Sequence, residues 1–151
     1  MEREPDIDAG TEPGEVALAR ATPVGLVELA AIFAGGFLGA LLRGGLQQAL
    51  GAAPDHWPWP TFAVNLAASA LLGFAIAWLG EHHPRTMYAR AFLATGVCGA
   101  LSTFSAVMIE LIDLAKGSGA ALAAGYGAAS IGGGLLCVLA GFRLAERMVQ
   151  A

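Results

Sequence analysis

Charged side chains are the scarcest feature of this chain. Aspartate, glutamate, lysine and arginine make up only 13 % of the 151 residues, whereas apolar residues make up 56 %. A soluble globular domain carries roughly 25 % charged residues. The net charge is −4 and no basic patch is present, which argues against a nucleic-acid partner. We therefore expect a protein whose surroundings are largely apolar.

Motifs for covalent or nucleotide chemistry are also lacking. The two cysteines, Cys98 and Cys137, lie in separate apolar stretches without CxxC spacing, so we expect buried free thiols rather than a disulfide or a metal site. No GxxxxGK[ST] loop is present, so coupling to ATP has no support. The three histidines lie in connecting segments without a paired nucleophile or metal-binding spacing. We predict that the protein is not an enzyme.

Four long apolar runs dominate what is present. They cover about residues 24–50, 60–79, 88–115 and 118–142. Each is close to the roughly 20 residues that a helix needs to cross the hydrocarbon core of a bilayer. Four such runs in a chain this short argue against buried helices of a soluble protein. We predict an all-α membrane protein with four transmembrane helices, its transmembrane domain covering residues 24–147.

The first 23 residues differ from the rest, since they hold six of the twelve acidic side chains together with prolines and glycines. This composition cannot bury a core, so we predict a disordered acidic tail over residues 1–23. The tail lacks the basic start, apolar run and cleavage site of a signal peptide.

An even number of spans places both termini on one side of the membrane, and the distribution of arginines favours the cytoplasmic side.

The third run contains the residues least suited to a continuous membrane helix. Residues 96–110 read GVCGALSTFSAVMIE, with glycine, serine and threonine at the centre. One interpretation is a helix interruption whose free backbone groups face a cavity or an ion. The other is close helix packing through small residues, as the spacings of Gly35 with Gly39 and of Ser130 with Gly134 also suggest. Residue chemistry alone leaves both interpretations open.

Three segments of the chain resemble one known family. GVCGALSTFSAVMIE is similar to the third-helix signature of the Fluc (CrcB) family of fluoride channels, approximately GxxGGxTTFSTFxxE. GGFLGALLR at 35–43 resembles the family's first-helix pattern GxxGAxxR. PTFAVNLAASALLG at 60–73 resembles its second-helix pattern GTxxVNxxGxxxxG. The similarity runs in the family's order from about residue 30 to 142, and the chain is identified as a member of this family.

The resemblance implies an architecture and a function. The third helix is expected to be broken at mid-membrane, and two subunits are expected to pack in opposite orientations as an antiparallel, dual-topology dimer. The implied function is passive export of fluoride across the cell membrane of a bacterium, with lipid around the dimer and a structural Na⁺ at its centre. By position, the backbone carbonyls of Gly99 and Ser102 would hold this cation. Oxygen ligands suit a hard cation such as sodium.

The resemblance also implies a set of pore residues. Phe104 matches a pore phenylalanine, whose ring edge carries partial positive charge and can face an anion. Asn65 matches a pore amide that can donate a hydrogen bond to fluoride. Arg43 matches an arginine expected at the pore vestibule, where it would concentrate anions. The remaining residues expected along the fluoride path are Thr61, Ser105, Tyr126 and Ser130.

Each of these residues also has a structural interpretation. Phe104 could pack against lipid or core, Asn65 and the hydroxyls could form interhelical hydrogen bonds, and Arg43 could extend to the interface. The family's second pore phenylalanine is Val107 here, so either one ring per pore suffices or a partner subunit contributes another set. Glu110 matches the acid that closes the motif, and it either orients a polar neighbour or marks the helix end.

Three alternative functions stay open at this point. A small multidrug-type proton-coupled exporter would depend on a membrane carboxylate, for which Glu28 is the candidate. A non-transporting subunit would only scaffold partners. The chain could also be one half of a heterodimeric fluoride channel, paired with a paralogous subunit, because the arginine asymmetry and Val107 are awkward in an antiparallel homodimer.

Overall fold

The described residues form four helical spans of membrane length. The computed structural model describes residues 25–51, 56–82 and 87–150, so the acidic tail predicted at residues 1–23 lies outside it. The helices are α1 (Leu26–Leu50), α2 (Trp59–His82), α3 (residues 87–101), α4 (Phe104–Gly117) and α5 (Ala120–Gln150). Helices α3 and α4 together make the third span, and all four spans are long and apolar enough to cross a membrane. The predicted all-α, multi-pass membrane fold is confirmed.

The third span is irregular before it breaks. Helix α3 begins as the α-helical turn Met87–Arg90, continues as the π-helix Ala91–Cys98, and ends with the α-helical residues Gly99–Leu101. π-Helical geometry is rare and is often found at functional sites. Ser102 (φ −76°, ψ 150°) and Thr103 (φ −145°, ψ 111°) are extended, and α4 begins at the next residue. The predicted break of the third helix is therefore confirmed near the middle of the span.

Glycines set the contact between α1 and α3. A Cβ atom at Gly35 would overlap the backbone carbonyl oxygen of Phe92, and one at Gly39 would overlap that of Val97. Both glycines are buried. The small-xxx-small interpretation of this pair is confirmed, because the backbones of α1 and α3 approach as closely as only glycine permits.

A second glycine contact joins α2 to α5. A Cβ at Gly73 would overlap the carbonyl oxygen of Val138, and one at Gly141 would overlap that of Ala70. A Cβ at Gly134, by contrast, would make only an ordinary contact at 3.5 Å with the Ser69 hydroxyl oxygen. The closest approach of these helices therefore lies nearer the C-terminal end of α5 than the predicted Ser130 and Gly134 spacing indicates.

Helix α5 is longer than the apolar run that predicted it. It continues to Gln150, beyond the predicted end at 142, and so includes the charged residues Arg143, Glu146 and Arg147.

Large apolar side chains cover the outer surface of the helices; Phe33, for example, is 75 % exposed. An outer surface this apolar fits contact with lipid or with a second subunit.

Candidate ion site at the interrupted third span

At the break in the third span, a side chain from α2 forms hydrogen bonds with the backbone. The Asn65 carboxamide oxygen accepts a hydrogen bond from the Thr103 backbone N–H at 2.8 Å. Its NH₂ group donates to the Thr103 carbonyl oxygen at 3.3 Å. One peptide residue thus has both of its backbone groups satisfied by a single side chain from a neighbouring helix, which is what an interrupted helix in lipid requires.

Thr103 also begins the next helix. It is buried, and its hydroxyl oxygen accepts a hydrogen bond from the Ala106 N–H at 3.3 Å, as an N-cap residue does. The same hydroxyl lies 3.2 Å from the Ser105 hydroxyl. Ser105, which was predicted to line the fluoride path, is therefore placed beside the cap of α4.

The break removes the helical donors of the last carbonyl groups of α3, and those of Gly99 and Ser102 lose theirs to the bonds just described. In a continuous helix, the Thr103 N–H would bond to the Gly99 carbonyl and the Ala106 N–H would bond to the Ser102 carbonyl. Here Thr103 donates to Asn65, and Ala106 donates to the Thr103 hydroxyl. Gly99 and Ser102 are both exposed on the subunit surface. They are the two residues whose carbonyls were predicted to hold sodium.

A cavity of about 230 Å³ opens beside the break. Asn65 borders it from α2, Phe104 from the first residue of α4 and Ser130 from α5. The Ser130 hydroxyl oxygen is buried without a hydrogen-bond partner among the described residues. Phe104 is 73 % exposed, so its ring lies where the cavity meets the outer surface. Three of the predicted pore residues are thus brought together.

A second polar group lies around Glu110 on α4. One of its carboxylate oxygens accepts from the Thr61 hydroxyl at 2.5 Å, and the other accepts from the Tyr126 hydroxyl at 2.5 Å. Thr61 and Tyr126 are both buried, and Gln47 on α1 lies 3.5 Å from the Thr61 oxygen. Glu110 therefore orients its polar neighbours, the first of its two possible roles. We call Thr61, Glu110 and Tyr126 the Glu110 group.

The Glu110 group and the polar cavity residues Asn65 and Ser130 are stacked along the same helices. Thr61 and Asn65 lie one turn apart on α2, and Tyr126 and Ser130 lie one turn apart on α5. Val107 is buried between them, because it borders the cavity and also packs in the cluster that contains Tyr126. The position that departs from the family pattern is thus a core position in this subunit.

An aromatic cluster packs against the Glu110 group. The Trp57 ring meets the Tyr126 ring edge-on, with centroids 5.3 Å apart and planes at 89°. It meets Phe62 in the same way, at 5.3 Å and 83°. Such edge-to-face pairs add to the free energy gained by burial alone. This aromatic contact was not predicted from the sequence.

Arg43, the predicted vestibule residue, lies on α1 one turn before Gln47, which approaches Thr61. It is half-buried on α1, and its Nε atom is buried without a hydrogen-bond partner in the part of the chain that the structure describes.

Glu28, the candidate carboxylate for an exporter, lies in the first turn of α1. It therefore belongs to the end of a span rather than to its middle.

Thr103 and Glu110 were not among the predicted site residues. A signal for Thr103 was present, since a threonine that follows a helix-breaking stretch and precedes an apolar run is typical of an N-cap. Glu110 is the only charged residue between Arg90 and Asp113 in the sequence. A carboxylate within a membrane span needs donors, but sequence alone does not say that Thr61 and Tyr126 supply them.

A family model and individual relatives of this chain point to the same protein family. The model described as "CrcB-like protein, Camphor Resistance (CrcB)" matches residues 30–142. The chain is 43 % identical over 121 residues, covering 80 % of this chain and 92 % of the relative, to "Fluoride-specific ion channel FluC 1" of Mycolicibacterium paratuberculosis. It is 46 % identical over 111 residues, covering 74 % of this chain and 84 % of the relative, to the protein of the same name from Mycobacterium bovis.

A more distant relative extends the same pattern. "Fluoride-specific ion channel FluC" of Chlorobaculum tepidum is 38 % identical over 113 residues, which cover 75 % of this chain and 90 % of that protein. The matched region contains the interrupted third span, the cavity and the Glu110 group. With the family model matching most of the chain and relatives above 40 % identity, the chain belongs to the CrcB family.

Proposed function

We propose that this chain is a subunit of a fluoride-selective ion channel, not an enzyme, that lets fluoride leave the cytoplasm passively across the cell membrane. One observation carries the proposal. Asn65, Phe104 and Ser130, from three different helices, border one cavity at a break in a membrane span. The names of the relatives, which describe fluoride-specific channels, support the choice of ion.

The cavity has the chemistry that fluoride needs. Fluoride is small and strongly hydrated, so a pore must replace its water with hydrogen-bond donors. The Ser130 hydroxyl is buried beside the Tyr126 hydroxyl and makes no hydrogen bond of standard geometry among the described residues, so its hydrogen can turn toward an ion in the cavity. Asn65 uses one N–H on Thr103 and retains a second. The ring edge of Phe104 offers weak positive charge, which attracts the anion without holding it tightly.

The proposed path continues from the cavity to the Glu110 group. Thr61 and Tyr126 lie one turn before Asn65 and Ser130 on their helices, and Ser105 lies beside the break. Thr61 and Tyr126 donate to Glu110, so a fluoride ion would receive either hydrogen only when that hydroxyl turns away from the carboxylate. Arg43 would raise the local concentration of anions at the vestibule.

The break also suits a structural sodium ion. The carbonyls of Gly99 and Ser102 lose their helical donors to Asn65 and to the Thr103 hydroxyl, and both residues are exposed. Sodium is a hard cation that is bound by such oxygens. In the described part of the chain, no three His, Cys, Asp or Glu side chains come together to hold a metal. Bound sodium would supply positive charge next to the cavity.

A second subunit would complete the site. Phe104 is 73 % exposed, and Gly99 and Ser102 also lie on the surface, so the break is open on one side. We include in the proposal that an oppositely oriented copy of this chain, or a paralogous subunit, covers it. The two subunits of the proposed dimer have opposite orientations in the membrane, as the resemblance to the family implies.

Fluoride efflux from liposomes tests the proposal. The purified full-length chain is reconstituted into vesicles loaded with potassium fluoride, and a potassium ionophore is added while an electrode records released fluoride. We expect rapid fluoride release and retention of chloride in a matched preparation. The proposed function is contradicted if vesicles release fluoride no faster than protein-free vesicles both with this chain alone and with a paralogous subunit added, or if they release chloride equally fast.

A further inference from the structure

We propose that Asn65 is a positioning residue whose side chain holds the Thr103 peptide open and thereby keeps the third span interrupted. The inference rests on the proposed function for its physiological meaning, because the break borders the proposed fluoride cavity. It goes beyond donation to an ion. Asn65 acts on the backbone of the pore itself.

The geometry uses the whole carboxamide of Asn65. Its oxygen receives the Thr103 N–H at 2.8 Å, and its nitrogen donates to the Thr103 carbonyl at 3.3 Å. Two hydrogen bonds from one rigid amide to one residue fix both the position and the orientation of that peptide segment. A side chain that served only to join two helices would not need to satisfy both backbone groups of the same extended residue.

The bond to the Thr103 N–H also competes with helix formation. A continuous helix would give this donor to the Gly99 carbonyl four residues earlier. Asn65 takes the donor instead, so the α3 helix does not extend through Thr103. Thr103 then remains extended and places its hydroxyl on the Ala106 N–H, where α4 begins. The position of Phe104, the next residue, follows from this cap.

We call the two hydrogen bonds from Asn65 to Thr103 the clamp. It predicts different behaviour for three substitutions. Asn65→Ala and the near-isosteric Asn65→Leu remove both hydrogen bonds. Asn65→Asp keeps an oxygen for the Thr103 N–H, but it cannot donate to the Thr103 carbonyl. Asp therefore preserves the competition with Gly99 while placing negative charge at the cavity. If Asn65 only donated to fluoride, none of the three would change the state of the Thr103 backbone.

Nuclear magnetic resonance of the full chain in lipid nanodiscs, in fluoride-free buffer, tests this directly. Labelling with [¹³C,¹⁵N]threonine gives signals from only six residues, and Thr103→Ser assigns the signal of interest. We expect the Thr103 amide of Asn65→Ala and Asn65→Leu to exchange with deuterium at least about fivefold faster than in the wild type. If the helix instead closes onto Gly99, the Thr103 ¹³Cα and ¹³Cβ shifts will move from extended to helical values. Either change supports the clamp.

The controls separate positioning from general disturbance. Ser130→Ala alters the same cavity without touching the break, and its Thr103 amide should exchange within about twofold of the wild-type rate. Asn65→Asp should restore both the wild-type exchange and the extended shifts. The clamp is overturned if Asn65→Leu keeps wild-type exchange together with extended shifts, or if Asn65→Asp behaves like Asn65→Leu. Because the resonance experiment contains no fluoride, its outcome does not depend on whether the efflux assay supports the proposed function.

Discussion

Tyr126 on α5 donates its phenolic hydrogen to Glu110 on α4 across 2.5 Å, while Thr61 on α2 donates to the other carboxylate oxygen at the same distance. One carboxylate therefore ties three helices together. Both donors are buried, so water does not compete for the carboxylate from their side. Hydrogen bonds to a charged group in such surroundings are the strong ones.

Tyr126→Phe is expected to lower the free energy of unfolding by about 1.5–3 kcal/mol, because it removes a hydrogen bond to a charged group. Unfolding in detergent micelles, followed by circular dichroism, measures the effect. In a double-mutant cycle with Glu110→Gln, the two losses should not add. Tyr88→Phe is the matched control, since Tyr88 is 47 % exposed. Equal losses for the two tyrosines would contradict the assigned hydrogen bond.

Gly35→Ala is expected to destabilise the subunit by about 1–3 kcal/mol, because the added methyl group would overlap the Phe92 carbonyl and force α1 away from α3. Gly36→Ala is the control on the same helix, since a Cβ there has no neighbour within 4 Å. Thermal unfolding monitored by size-exclusion chromatography compares the two. A smaller effect for Gly35→Ala than for Gly36→Ala would show that the close contact of α1 with α3 is wrong.

Thr103→Ala is expected to cost about 1 kcal/mol of stability, the usual effect of losing an N-cap. Thr103→Ser retains the hydroxyl that accepts from the Ala106 N–H and should stay close to the wild type. Fluoride efflux should fall with Thr103→Ala and recover with Thr103→Ser, since the cap fixes the start of α4 and so the Phe104 ring. Equal behaviour of the two variants would leave the cap without a function.

Arg43→Gln is expected to slow fluoride efflux at least about threefold at 0.01 M ionic strength, where the Debye length is about 30 Å, and much less at 0.15 M, where it is about 8 Å. The proposed vestibule role has Arg43 attract anions through space rather than by contact, and dissolved salt screens such an attraction. Arg143→Gln, an exposed position on α5, is the control. A salt-independent effect of Arg43→Gln would contradict the vestibule role.

Several features of the fold followed from local chemistry. The four spans follow from apolar runs of membrane length. The Gly35 and Gly39 contact follows from their spacing of four residues. Serine and threonine in the middle of the third run made a break one of two interpretations, and the resemblance to the family favoured the break.

The partners of the site residues did not follow. Asn65 and Thr103 are 38 positions apart, and Thr61 and Glu110 are 49 apart, so their pairing depends on how the helices pack. The π-helix Ala91–Cys98 has no composition that distinguishes it from an α-helix. The length of α5 was underestimated because hydropathy marks where lipid ends, whereas hydrogen bonding decides where a helix ends.

The central claim is that the ring placed at the break serves the ion path. Phe104 is 73 % exposed and borders the cavity, whereas Phe33 on α1 is 75 % exposed and is not among the cavity-lining residues. Fluoride efflux from liposomes is therefore measured for Phe104→Ala and Phe33→Ala beside the wild type. We predict that Phe104→Ala slows efflux at least about tenfold, equivalent to about 1.4 kcal/mol, while Phe33→Ala leaves the rate unchanged. Equal rates for the two variants would contradict the account.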